Sequence, residues 1–151
     1  MLFAAFDAEE LGLKGAQTFV ASGLIPLEKV AIDVNLDMVS RNERHEIFAV
    51  GTYQEAWLKP ILQEVQRRSA VTIRLGHDRP VRGADSGEDW TELSDQGAFR
   101  DAHVPFLYFG VEDHADYHQP TDTADKLDPR FFGDVADMII DTLVTLDERL
   151  R

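Results

Sequence analysis

Short apolar runs alternate along this chain with stretches in which apolar residues recur every three or four positions. LFAAF at 2–6 predicts a buried strand, followed by a helix from Leu13 to Ala21 and a turn at SGLIP. In VAIDVNLD, at 30–37, Val30, Ile32, Val34 and Leu36 alternate with more polar residues, the period of a strand. EIFAV at 46–50 predicts another. Thr52 and Glu55 have the spacing of a capping box, and Trp57, Ile61 and Val65 fall four apart behind it, so a helix is expected there with a kink at Pro60. VTIRL at 71–75 reads as a strand, 81–90 as a loop, 94–102 as a short helix and PFLYF at 105–109 as a buried strand. The clearest element is the last: Phe131, Val135, Met138, Ile139, Leu143, Leu146 and Leu150 form one helical stripe and are assigned to the core.

Strand alternating with helix predicts an α/β fold in three layers, with a mostly parallel but mixed sheet and helices on both faces. With 151 residues and no linker, repeat or low-complexity segment, residues 1–151 are expected to form a single domain. No apolar run approaches the ~20 residues needed to cross a bilayer. No signal peptide pattern opens the chain, so as given it reads as cytoplasmic, with a secreted or periplasmic parent protein left open. The absence of cysteine excludes disulfides and thiolate metal sites.

Charge changes the picture more than composition does. The net charge is -13, and between Asp85 and Asp128 twelve Asp or Glu face only Arg100 and Lys126, which excludes nucleic acid as an expected partner. The same segment holds His103, His114 and His118, and carboxylates mixed with imidazoles suit a hard or borderline cation, although charge alone favours a solvated acidic loop. The basic residues between Lys59 and Arg82 read as surface.

In open α/β sheets, chemistry gathers beyond the carboxyl ends of the strands. Three such predicted ends carry acids or imidazole: LFAAF leads into Asp7, Glu9 and Glu10, VAIDVNL ends at Asp37, and PFLYF leads into the loop holding His118. Neighbouring residues diverge by about a quarter-turn on a helix and point to opposite faces in a strand, so Glu9 and Glu10 are suited to two jobs. One could bind a metal while the other handles a proton beside it. The alternative is that both simply place negative charge at a helix N-terminus.

FAAFDAEELGLKGAQTFV, VNLDMVSR, SDQGAFRDAHVPFLYFG and DYHQPTDTADKLD resemble, in order, four motifs of the zinc-dependent exopeptidase superfamily of leucyl-type aminopeptidases, glutamate carboxypeptidases and glutaminyl cyclases. The resemblance covers Leu2 to Asp128 and is to the C-terminal half of the catalytic domain. It implies that Glu9 is the general base, Glu10 and His118 ligands of one zinc, Asp37 a ligand of a second, and Ser94 and Asp95 supporting residues near the site. A ligating His118 is neutral, so its other nitrogen needs an acceptor, for which Asp116 and Asp122 are the candidates. The chain departs from the family pattern at Gln96 and His103.

A complete family domain of this kind holds two zinc ions, using an upstream histidine and a bridging aspartate whose motifs do not occur here. His77, Asp78 and Asp85 are not taken as substitutes. One zinc or none is therefore expected in the isolated chain, with weak or absent hydrolysis of N-terminal peptide bonds. A peptide is the implied substrate, and an open sheet edge or apolar face predicts a homo-oligomer or pairing with a missing N-terminal half. A catalytically silent interaction domain and a glutaminyl cyclase-like enzyme are the alternatives.

Overall fold

A computed structural model describes residues 1–79 and 88–150. Most of the expected loop 81–90 lies outside the described residues. Four strands, β1 (Asp33–Leu36), β2 (Glu46–Val50), β3 (Thr72–Leu75) and β4 (Phe106–Gly110), form one sheet in the order β1-β4-β2-β3. β1 runs parallel to β4 and β2 parallel to β3, while β2 and β4 are antiparallel, so the sheet is mixed. Four helices accompany it among the described residues: α1 (Lys14–Ala21), α2 (Leu58–Gln66), α3 (Gln96–Asp101) and α4 (Pro129–Leu150). None of these helices is long and apolar enough to cross a membrane.

β4 shows why the layers form. All five of its residues are buried, and alternation sends them to two cores. Leu107 and Phe109 join Ile47 and Ala49 beneath α2 and α4, where Phe131, Val135 and Met138 of the predicted stripe are also buried. Phe106 and Tyr108 point the other way, to Val50 and Trp90. On that second side α3 packs with α1 through Ala16, Ala98 and Phe99.

Several local expectations need correction. Residues 2–6 form no strand: no described strand pairs with them, and Leu2 and Phe3 are exposed. An apolar run becomes a strand only when a neighbour completes its hydrogen bonds. The strand expected over 30–37 is shorter, beginning at Asp33. Thr52 and Glu55 form no capping box, because Thr52 is drawn elsewhere. Its hydroxyl donates to buried Asp78, which also accepts from the Gly51 and Tyr53 amides, tying the end of β2 to the segment after β3. α2 starts six residues after Thr52, and Pro60 falls in its first turn, where an amide has no helical acceptor to lose.

Candidate active site

The Glu-Glu pair sits in a 3-10 turn, Glu9–Leu11, between the extended N-terminal segment and α1. Successive amides close this turn: Leu13 N donates to Glu9 O at 2.8 Å, Lys14 N to Ala8 O at 3.2 Å and Gly15 N to Asp7 O at 3.1 Å. The fold is so tight that a Cβ at residue 15 would lie 2.4 Å from Asp7 O, which is why glycine stands there. The turn aims Glu10 outwards, and its Oε1 meets Nε2 of His118 at 3.0 Å. His118 in turn lies flat on its neighbour Tyr117, ring centroids 3.8 Å apart.

Asp37 follows β1 directly and is held by a buried polar chain on the α3 side of the sheet. Ser94 Oγ donates to Asp37 Oδ2 at 2.8 Å. Asn35 Nδ2 donates both to Ser94 Oγ, at 3.1 Å, and to Gln96 Oε1, at 2.7 Å. Gln96, fully buried, completes the chain by donating to Trp90 O at 2.7 Å. The departure from the family pattern at Gln96 is thus accommodated by Asn35, two residues before Asp37 on the same strand face.

Electrostatics gathers these residues into one site. Burial pushes the Glu9 carboxyl up, and the charges of Glu10, Asp37 and Asp95 push it further, while His118 pulls it down. Asp95 is raised by burial and by Asp37. The Tyr117 phenol is raised by burial and by Asp113, Glu10, Glu9 and Asp37. Burial, together with Asp37, does the same to Tyr108, whose hydroxyl lies over Gly110 in the space a Cβ would take. Two phenols therefore border a crowd of carboxylates.

The backbone is strained at the same place. Ala8, Met38 and His118 adopt positive φ of 55°, 53° and 55°, a region that side chains other than glycine rarely occupy. They are the residue before Glu9, the residue after Asp37 and the imidazole itself. Strain of this kind persists where surrounding structure fixes it, and it concentrates at functional sites.

Of the residues singled out from sequence, Glu10 and His118 are in contact, Ser94 and Asp37 are in contact, and Glu9 and Asp95 lie within their field. Asp116 and Asp122 are engaged otherwise than expected: both accept from Arg41, at 3.0 Å each, and neither bonds His118. Their pull toward Arg41 is that of a full charge, which a neutral imidazole cannot match. Asn35, Arg41, Tyr108 and Tyr117 were not identified from sequence as parts of the site, and Gln96 was noted there only as a departure from the family pattern. The two-residue spacing of Asn35 from Asp37 and the adjacency of Tyr117 to His118 were the signals available.

Glu10 and His118 present one oxygen and one nitrogen donor of the kinds zinc accepts. Their 3.0 Å separation is near the about 3.3 Å edge of a tetrahedral site with bonds of ~2.0–2.1 Å. No group of three or more His, Asp or Glu side chains placed to hold a metal occurs among the described residues. The donor pair fits zinc, and further ligands are needed to complete a site.

A mixed sheet with helices on both faces, Glu10 against His118 and Asp37 at the end of β1, defines an open α/β domain with a candidate active site. The chain belongs to Peptidase family M28, which it matches over residues 1–143. Its fold is similar to that of an aminopeptidase from Aneurinibacillus sp. strain AM-1, at TM-score 0.70 and 22% identity, covering 91% of this chain and 31% of that one. It is also similar to BSAP, a zinc aminopeptidase from Bacillus subtilis, at TM-score 0.70 and 20% identity, covering 92% and 34%. The LapA aminopeptidase of Legionella pneumophila matches at TM-score 0.69 and 16% identity, covering 93% and 37%. The chain thus spans about a third of the length of these proteins. No curated protein sequence matches it significantly.

Proposed function

We propose that this chain carries one part of the active site of a zinc aminopeptidase-like enzyme that hydrolyses N-terminal peptide bonds. The observation that supports this most is the meeting of Glu10 and His118 at 3.0 Å across 108 residues of sequence, with Glu9 beside them and its carboxyl raised. Glu10 and His118 hold one zinc, Asp37 serves a second, and both need ligands beyond those described here. When bound, zinc lowers the pKa of a water toward ~7 and polarises a carbonyl.

Glu9 supplies the proton handling. Its raised carboxyl is a better base than an ordinary glutamate, suited to take the proton of the attacking water and return it to the leaving amine. Ser94, fixed through Asn35, holds Asp37 in place, and the nearby carboxyl of Asp95 adds to the negative field around it. The Tyr117 ring stacks on His118, and its hydroxyl is a donor available to an oxygen gaining negative charge at the scissile carbonyl.

Zinc titration calorimetry on the wild-type chain, Glu10→Ala and His118→Ala tests the metal part. The expected result is binding to the wild type that both substitutions abolish, with little turnover of an aminoacyl-p-nitroanilide by the chain alone. Zinc binding that is equal in all three would overturn the ligand assignment. Brisk zinc-dependent turnover abolished by Glu9→Gln would overturn the expectation of a weak isolated chain while keeping Glu9 as the base.

A further inference from the structure

Residues 112–128 carry six carboxylates against the single charge of Lys126, yet they fold into one defined loop. Consecutive turns build it: Tyr117 N donates to His114 O at 2.9 Å, Gln119 N to Asp116 O at 2.8 Å and Asp122 N to Gln119 O at 3.0 Å. Turns alone do not hold such a loop against like-charge repulsion, and they do not fix it relative to the sheet. A cation from elsewhere does both. Arg41, four residues beyond Asp37, reaches into the loop with its side chain only 18% exposed.

All its contacts converge on one nitrogen. Nη2 donates to Asp116 Oδ2 and to Asp122 Oδ1, at 3.0 Å each, its two N–H bonds being shared with His114 Nδ1, 2.8 Å away. These acceptors bracket His118 in sequence, four and two residues before it and four after. Asp116 is the hub: its other oxygen, Oδ1, accepts from Thr121 Oγ1, at 2.6 Å, and from Lys126 Nζ. Together these donors hold its carboxyl well below the usual carboxylate range, Lys126 contributing most. Beside Arg41, Ser40 O accepts from Asp128 N at 3.1 Å and closes the far end of the loop onto the same strand exit.

We infer that Arg41 is a positioning residue that pins the loop bearing His118 to the end of β1, and so sets His118 against Glu10 and Asp37. The inference rests on the zinc-ligand reading of His118 for its consequence, although the clamp itself is independent of metal. Arg41 touches neither Glu9, Glu10 nor His118; it acts by placing the loop. Because one nitrogen carries every contact, a lysine ammonium retains part of the clamp, whereas the neutral amide of glutamine does not.

Two measurements on the whole chain test this. Amide hydrogen exchange, with no metal present, is compared among wild type, Arg41→Gln and Arg41→Lys. Exchange in 113–122 is expected to accelerate about ten-fold or more in Arg41→Gln and less in Arg41→Lys, while amides of β2, β4 and α4 keep their wild-type rates. Unchanged loop exchange, or equal acceleration throughout the domain, overturns the clamp. Zinc titration is expected to show an affinity loss of about ten-fold or more in Arg41→Gln, partly restored in Arg41→Lys. Full zinc affinity in Arg41→Gln despite a loosened loop overturns the positioning of His118. Failure of the zinc-ligand reading has its own signature, a wild-type titration indifferent to Glu10→Ala, and leaves the exchange result to decide on the clamp alone.

Discussion

Glu10 Oε1 and His118 Nε2 stand 3.0 Å apart, with both side chains more than half exposed. Solvent-exposed pairs of this kind contribute ~0–1 kcal/mol to folding, since water solvates the separated partners almost as well. Stability therefore gives no reason for these two residues to meet. Glu10→Ala and His118→Ala are each expected to change unfolding free energy by less than about 1 kcal/mol, while removing the zinc signal. A urea titration showing a large loss in either variant would make the pair structural.

Asp33 carries the opposite kind of cost. It opens β1, and its Oδ2 is shut from solvent without a hydrogen-bond partner. Burial, reinforced by Asp95, pushes its carboxyl up to about 7, well above the ordinary range of an aspartate. In the unfolded chain the group ionises near pH 4, so between pH 4 and 7 the unfolded state holds fewer protons and stability falls as pH rises. Above pH 7 the penalty is complete. Asp33→Asn removes it, and the expected gain at pH 8 is on the order of 3 kcal/mol, fading as pH falls toward 4. Urea midpoints at pH 4.5 and 8 check this; an equal or negative effect at both pH values would contradict the assignment.

Gln96 is the keystone of the chain that holds Asp37. It is fully buried, accepts from Asn35 and donates to Trp90 O. Gln96→Ala leaves Trp90 O unpaired, strips Asn35 of one of its two acceptors and opens a cavity, and the expected destabilisation is about 3 kcal/mol. Ser94→Ala also removes a bond from Asn35, so a double-mutant cycle between Ser94 and Gln96 is expected to show a coupling of more than ~0.5 kcal/mol. Strict additivity by chemical denaturation would show that the two act separately.

How much of this was legible in the sequence depends on the range of the interaction. The 46–50 strand and the α4 stripe from Phe131 to Leu146 were readable because a local period reports burial wherever packing follows it, whereas Leu150, expected in the core, is 47% exposed at the helix end. LFAAF carried the same apolar signal and formed no strand, since a ladder needs a neighbour that the run itself cannot reveal. The Thr52 and Glu55 spacing failed for a related reason: buried Asp78, 26 residues away, takes the threonine hydroxyl. At the site, motif residues with acid or imidazole side chains stood out. Arg41 did not, because nothing near it in sequence announces acceptors 73 to 81 residues later. Asp116 and Asp122 stood out as acceptors for the second nitrogen of His118, but both bond that arginine instead.

Self-association is the last expectation. β1 ends the sheet and pairs only with β4, so its outer edge has no partner among the described residues. Leu36 on that strand is 44% exposed, and Leu2 and Phe3 are exposed at 60% and 83%. Unpaired edges and apolar surface favour contact between copies. A net charge of -13 opposes it, through repulsion that reaches ~10 Å at 0.1 M salt and ~3 Å at 1 M. The two effects act in opposite senses on adding salt: screening weakens the repulsion while apolar burial is undiminished. The chain is therefore expected to form dimers or larger species whose fraction rises with concentration and with sodium chloride. Light scattering that returns a monomer mass across both series would show that the open edge and the exposed apolar residues are insufficient to bring copies together.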